Sequence, residues 1–370
     1  MIIIQQIIDI IEQKAPIFLS LPEDNNGLQI GSLHTYIKNI LITLDITDEV
    51  INEAIKKKCN LIISHHPFIF TPIFDLNILN YKTNQISQLL KHKISVYVAH
   101  TNMDSSSYGI NYVLAQKIGL KNVKPISQTI LDEFKKLVIF IPVEYKEKVR
   151  NKLLSLDLFK TDKYSKMSFI STGEGTFLPD INAKPFIGTS GKIEKTEETR
   201  LEVLVNKNSI IDVLNEIRSV HPYEEMAYDI YPVETHYFKC GIGAYGEIEK
   251  KINLQQLCNI IKDKFDISVL RIIGDPCKKI KKIGIISGSG ASYLQTVEKL
   301  NLDVLITGDI KYHDALKAND LKIAIIDAGH YGTEKIFKDI VYDILEKEQI
   351  LTGKNKLYKS TIKTDPFNIL

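Results

Sequence analysis

The sequence predicts an α/β fold: a two-part α/β domain with a ferredoxin-like α+β module inserted between its halves. Three observations carry this. Short apolar runs at 40–44, 61–63 and 94–98 alternate with helix-like stretches, the pattern of a largely parallel sheet. The same style returns after about residue 241, with runs at 269–273, 283–287, 304–307 and 323–327. Between them, residues 200–205 alternate charged and apolar side chains as a half-exposed antiparallel strand does. Boundaries follow at 1–130, 131–238 and 239–370, and 370 residues exceed what one core usually supports.

Taken in order, Ile4, Ile7, Ile8 and Ile11 recur at helical spacing and Pro16 ends that helix. Residues 22–31 form a polar, turn-rich loop. Thr47 followed by Asp48 and Glu49 is a cap and acidic first turn for a helix running to Lys58. After residue 130 come a strand at 137–141, a helix at 144–154, a strand at 167–172 and a turn at Gly173 and Gly175. The strand at 200–205, a helix at 209–220 and a strand at 227–231 complete a ferredoxin-like β-α-β, β-α-β set. A last long helix is expected from Tyr331 to about Lys347. Gly241, Gly243 and Gly246 match a dinucleotide fingerprint by letter only, since neither an apolar strand nor a long helix flanks them.

The composition narrows the function. A net charge of +2 gives no case for a nucleic-acid stripe or a membrane patch. No run approaches the ~20 apolar residues of a membrane span, and the N-terminus lacks the basic start of a signal peptide. The 4 cysteines are scattered, with no C-x-x-C pair, so neither a zinc knuckle nor a disulfide framework is indicated. The cytoplasm is the expected location.

Polar residues gather where the strands end, and ligands of open α/β sheets sit in that crevice. The run 61–64 leads into His65-His66-Pro67. Imidazole is a ligand for zinc, iron, nickel and copper, and two adjacent rings leaving a strand can face one small space and feed two metals. The pair reads equally as one functional histidine beside a capping neighbour, or as two satisfied surface histidines. His330 and Glu334, at i and i+4, share a helix face. There the carboxylate can bridge two cations, or it is a plain acid near a helix N-terminus. Asp104 follows the strand end at His100. Together His65, His66, Asp104, His330 and Glu334 form a mixed N/O set suited to Zn, Fe, Mn, Co or Ni rather than Ca, with room for an activated water. His100 and His313 are candidates to move protons or orient substrate, or are structural histidines satisfied by backbone. Residues 287–290, Ser-Gly-Ser-Gly, could hold an anion through backbone N–H groups. No Ser-His-Asp or Cys-His arrangement suggests covalent catalysis.

Five segments in chain order give the sequence a specific family resemblance: Asp24-Asn25-Asn26-Gly27-Leu28-Gln29-Ile30-Gly31, Ser64-His65-His66-Pro67, Ala99-His100-Thr101-Asn102-Met103-Asp104, Thr307-Gly308-Asp309 and Gly329-His330-Tyr331 with Glu334. They resemble the GTP cyclohydrolase 1 type 2 homologues, also called Ngg-interacting-factor-like proteins. The stretch His221-Pro222-Tyr223-Glu224-Glu225 with Tyr228-Asp229-Ile230-Tyr231 is similar to the PII/CutA-like insert of the longer bacterial members. A tryptophan common in the first loop is absent here, which bears on loop packing and not on the metal set. The resemblance implies two divalent ions per chain held by His65, His66, Asp104, His330 and Glu334, with Glu334 bridging. It also implies a ring-shaped homo-oligomer, commonly a hexamer, and hydrolysis of a cyclic C–N bond in a nucleotide-like molecule. The other function that the sequence allows is a non-catalytic metal-binding or regulatory protein that senses a small ligand through the insert.

Overall fold

A computed structural model describes residues 2–128, 134–156, 158, 164–233, 240–351 and 355–368. The chain divides into two compact units, Met1–Thr129 with Lys239–Leu370, and Ile130–Phe238.

In the first unit one sheet has the order Gly27–Ile30, Ser95–Val98, Leu61–Ser64, Asn39–Thr43, Lys356–Lys359. All its pairs are parallel except the outermost, Gly27–Ile30 against Ser95–Val98. A second sheet has the order Arg271–Ile273, Ala324–Asp327, Val304–Gly308, Lys279–Ser289, Ala244–Asn253, Lys121–Lys124. Its middle three strands are parallel and its flanks antiparallel. A two-stranded ladder pairs Gly241 with Gln128 and Ile242 with Ser127.

Strand alternation sorts side chains into layers. Ile40, Ile42, Leu61, Ile63 and Tyr97 enter a core shared with Ile283, Ile285, Val304 and Ile306 of the second sheet. Helices Ile4–Lys14, Ile110–Lys117, Leu254–Phe265 and Phe337–Lys347 fill that layer with Ile7, Leu114, Leu257 and Phe337. The intervening Leu41, Ile62, Val96 and Val98 face the other way, onto Val50, Ile51, Ile86 and Leu89. Leu305 and Ile325 do the same on the second sheet, against Leu294 and Val297. Burial on both faces is why these strands read as continuous apolar runs.

The second unit holds an antiparallel sheet ordered Tyr228–Pro232, Phe134–Pro142, Glu194–Asn206, Phe169–Phe177, with helices Lys146–Ser155 and Ile210–Arg218. Its core, including Leu137, Ile139, Val149, Leu201, Val203 and Ile217, is its own.

Several elements differ from the sequence reading. Residues 22–31 contain the strand Gly27–Ile30, whose four residues are held by an antiparallel partner rather than by local pattern. Gly173 and Gly175 lie inside the strand Phe169–Phe177, not in a turn. Gly175 faces Thr196 across the ladder, and a Cβ there would meet only the movable end of the Glu198 side chain, so pairing with Glu194–Asn206 rather than a steric need places it in the strand. The helix capped by Thr47, whose Oγ1 accepts from Val50 N at 3.4 Å, stops at Lys56, and Lys58 takes a left-handed φ of 54°. The final helix is two pieces, His330–Glu334 and Phe337–Lys347.

Candidate metal centre

Each predicted ligand stands where a strand hands over to a loop or short helix. Leu61–Ser64 ends at His65, and the His66 N–H is caught by Leu44 O at 3.1 Å, which fixes the turn after the strand. Ser95–Val98 ends before His100, and the short helix Thr101–Ser105 carries Asp104. Ala324–Asp327 ends before Gly329, which at φ 75° opens the helix His330–Glu334.

The structure brings all five predicted ligands together. Glu334 Oε2 lies 2.8 Å from His66 Nε2 and 2.9 Å from His330 Nε2, and these two ring nitrogens are 3.2 Å apart. His65 Nε2 faces Asp104 Oδ2 at 3.7 Å and Glu334 Oε1 at 3.8 Å. That nitrogen is buried and has no hydrogen-bond partner, while Nδ1 of the same ring meets Ala99 O at 2.9 Å. An orphaned buried nitrogen aimed at two carboxylates leaves a lone pair unsatisfied by protein, which a cation would engage. Ligand atoms lie within 4.8 Å of one another in two groups, His65 with His66 and His100, and His66 with His330 and Glu334. The donor set therefore fits a metal.

Carboxylates orient three of the four rings from behind. Asp45 Oδ1 holds His66 Nδ1 at 2.6 Å, Asp309 Oδ2 holds His330 Nδ1 at 2.7 Å, and Asp24 Oδ1 holds His100 Nδ1 at 2.8 Å. This carboxylate–histidine arrangement fixes the tautomer and turns Nε2 inward. Sequence reasoning missed the role of these acids. Asp45 and Asp309 both follow strand ends, so the rule that found the histidines points to them too. Asp24 is itself pinned by Thr101 N at 3.1 Å, by the Thr101 hydroxyl, and by Asn26 Nδ2 at 2.5 Å.

Charge is tightly balanced. Burial favours the neutral form of Glu334, but hydrogen bonds from His330 and His66 and the nearby His65 ring outweigh it and hold the carboxyl well below its ordinary range. Burial likewise works against a charged His66, yet Asp45 and Glu334 push it up to about 10. The hydrogen bond to Glu334 leads in raising His330 to about 9. Asp104 is raised by burial and by the Glu334 charge, although Ser287 Oγ donates to its Oδ1 at 2.9 Å.

A cavity of about 480 Å³ opens onto this centre. His66, His100, Asp104, His330 and Glu334 stand in its wall, with Leu21, Phe70, Ile286 and Tyr293 supplying apolar surface. His313 lies elsewhere, exposed on the helix Tyr312–Asp320 with its ring 5.3 Å from that of Tyr312. Residues 287–290 approach the centre through Gly288, where a Cβ would sit 2.3 Å from Glu334 Oε1. The close packing and the left-handed φ of 62° account for that glycine.

Comparison with known proteins gives concordant matches. The family model described as Duf34/NIF3 (NGG1p interacting factor 3) matches residues 2–366. A Bacillus subtilis protein called GTP cyclohydrolase 1 type 2 homolog is 38% identical, covering 99% of this chain and 98% of its own. A Listeria monocytogenes protein of the same name is 33% identical over 97% of this chain and 96% of its own. The solved structure of a Bacillus cereus protein related to NIF3 superposes with a TM-score of 0.84 at 33% identity, covering 100% of this chain and 99% of the other.

Proposed function

From the premise that this chain belongs to the Duf34/NIF3 family, we propose that it is a dinuclear metal-dependent hydrolase acting on a cyclic C–N bond of a nucleotide-like small molecule. The observation that carries the reading is the orphaned His65 Nε2, buried between the Asp104 and Glu334 carboxylates. His65, His66, Asp104, His330 and Glu334 would hold two divalent ions drawn from Zn, Fe, Mn, Co or Ni. Such a pair supplies Lewis acidity and lowers the pKa of water to near neutrality.

The chain's own groups do the rest. The Asp24 carboxylate fixes His100 with Nδ1–H donating and Nε2 free to take a proton. As water oxygen bonds to the ring carbon and the C–N bond opens, that proton passes from His100 Nε2 to the released nitrogen. Leu21, Phe70 and Tyr293 suit the flat face of a heterocycle and exclude water around it. His313, exposed on the helix Tyr312–Asp320 and outside the cavity lining, is left without a part in this step.

The relatives' name supports guanine-ring opening as the first activity to assay. The order of strands and helices in the second unit supports the ferredoxin-like reading of the insert. Exposed Phe70, Phe74, Leu76 and Leu79 support burial of that surface in a homo-oligomer such as a hexamer. The test is turnover of GTP, its nucleoside and its base by metal-loaded protein, beside His100→Gln with full metal content. Ring opening that falls at least about a hundredfold in the variant is expected from general acid–base catalysis. No turnover of any cyclic C–N substrate by protein holding two ions would instead favour the metal-binding, ligand-sensing reading.

A further inference from the structure

The segment that follows the last strand ties the C-terminus to the metal centre. Lys356–Lys359 pairs in parallel with Asn39–Thr43, with Leu357 opposite Ile40 and Lys359 opposite Ile42. The tail therefore leaves the sheet at the carboxyl-end side, the side that carries Asp45, His65 and His66. Glu53, only 8% exposed on the helix that follows Asp45, then gathers it. Its carboxylate accepts from Ser360 Oγ at 2.5 Å, Thr361 N at 3.1 Å, Thr361 Oγ1 at 2.9 Å and Lys57 Nζ at 2.7 Å. From the other half of the unit, Lys338 Nζ donates to Ser360 O at 3.1 Å. Lys338 stands on the helix just after Glu334.

So anchored, the tail delivers Thr364 to the centre. Thr364 Oγ1 donates to Asp45 Oδ2 at 2.5 Å, while Asp45 Oδ1 holds His66 Nδ1 at 2.6 Å. Each oxygen of the Asp45 carboxylate has a side-chain partner, so its plane is fixed, and the fixed plane sets the rotation of the His66 ring. The Asp45 side chain is 34% exposed. Without the hydroxyl, its outer oxygen would turn to water and the carboxylate could swivel.

We infer that Thr364 is a positioning residue of the metal centre, acting through Asp45 to aim His66 Nε2. The inference rests on the metal-binding reading proposed above. Partners behind a ligand histidine typically govern about 10- to 100-fold in metal affinity, and Thr364 stands one bond further out. An effect near the lower end, about tenfold on one ion, is the expectation.

The test uses the full chain with Co²⁺ as probe. Thr364→Val removes the hydroxyl at nearly constant shape, and Thr364→Ser restores it. Affinities come from competition with a chromophoric chelator, the visible cobalt spectrum reports ligand geometry, and the unfolding midpoint of metal-free protein reports folding. In Thr364→Val, one of two ions should weaken about tenfold with an altered spectrum and an unchanged midpoint. Thr364→Ser should restore both affinity and spectrum. Wild-type affinity and spectrum in Thr364→Val would overturn the inference and leave the metal reading standing. So would equal losses in both variants with a lowered midpoint, which would mark a folding contact. Wild-type protein that binds no Co²⁺ would overturn both readings together.

Discussion

Replacing Glu334 by Gln removes one negative charge from the centre and little else. The residue is 3% exposed, and its carboxylate lies within 3.8 Å of three imidazole nitrogens. With two dications present, Asp104 and Glu334 offset half of the positive charge, whereas with Gln only a quarter is offset. Dications at the usual spacing of ~3.5–4 Å repel strongly in a water-poor cleft, so the ion that depends on the shared carboxylate should suffer most. Removing one partner of a buried charge pair costs about 3–5 kcal/mol. At about 1.4 kcal/mol per decade, that is a loss of roughly two to three and a half powers of ten in affinity. Elemental analysis after dialysis against a weak chelator should find two ions in the wild type and one or none in Glu334→Gln, with unchanged circular dichroism. His65→Ala and His66→Ala should each weaken chiefly one ion, because an imidazole serves a single metal. A folded Glu334→Gln that keeps two tightly bound ions would refute the bridging role, leaving Glu334 an ordinary helix-face acid.

Four further outcomes are expected. Because His66 is pushed up to about 10 and His330 to about 9, both carry protons at pH 7 in metal-free protein. Metal must displace these protons, so calorimetry in buffers of different ionisation enthalpy should show proton release that fades above pH 9–10. The same raised values give metal-free protein a stability contribution that is full below about 6.5, the unfolded value. It is lost as pH rises through 9 to 10, so urea midpoints without metal should fall over that window. Gly288→Ala places a Cβ 2.3 Å from Glu334 Oε1 at a φ of 62° and should cost metal as Glu334→Gln does. Gly119→Ala, at φ 82° with nothing within 4 Å, should cost only left-handed strain, about 1–2 kcal/mol in unfolding experiments; equal metal content in the two variants would sink this account. Finally, deleting about residues 131–238 should leave a soluble metal-binding protein, because Gln128 and Gly241 are already ladder partners in the host unit. Insoluble or metal-free products from several linkers would show that the module is integral to folding.

Much of the centre was legible because the histidines and acids sit at strand ends, and strand ends are marked by a local switch from apolar to polar residues. His65, His66, Asp104, His330 and Glu334 needed no knowledge of which strands pair. Asp45 was harder: its role as the group behind His66 depends on a contact 21 residues away, which no periodicity records. Thr364 was invisible for the same reason, at a separation of 319 residues from Asp45. The strand Gly27–Ile30 failed as a prediction because its register comes from Val96, Tyr97 and Val98 rather than from its own four residues. Gly173 and Gly175 misled because glycine is a turn signal locally, whereas the ladder with Glu198 and Thr196 of the neighbouring strand holds both extended. The break between Glu334 and Phe337 escaped because helical spacing of apolar residues continues across it.

The pairing of Lys356–Lys359 with Asn39–Thr43 also sets a schedule for synthesis. Lys356 N meets the Asn39 side chain at a separation of 317 residues, so the first sheet waits for a strand made long after its neighbours. At ribosomal rates of about 5–20 residues per second, the edge of Asn39–Thr43 stays uncovered for roughly 15–60 seconds. An unpaired parallel edge is a template for wrong partners, so through that interval the backbone N–H and C=O groups along Asn39–Thr43 lie open to strands other than their final neighbour.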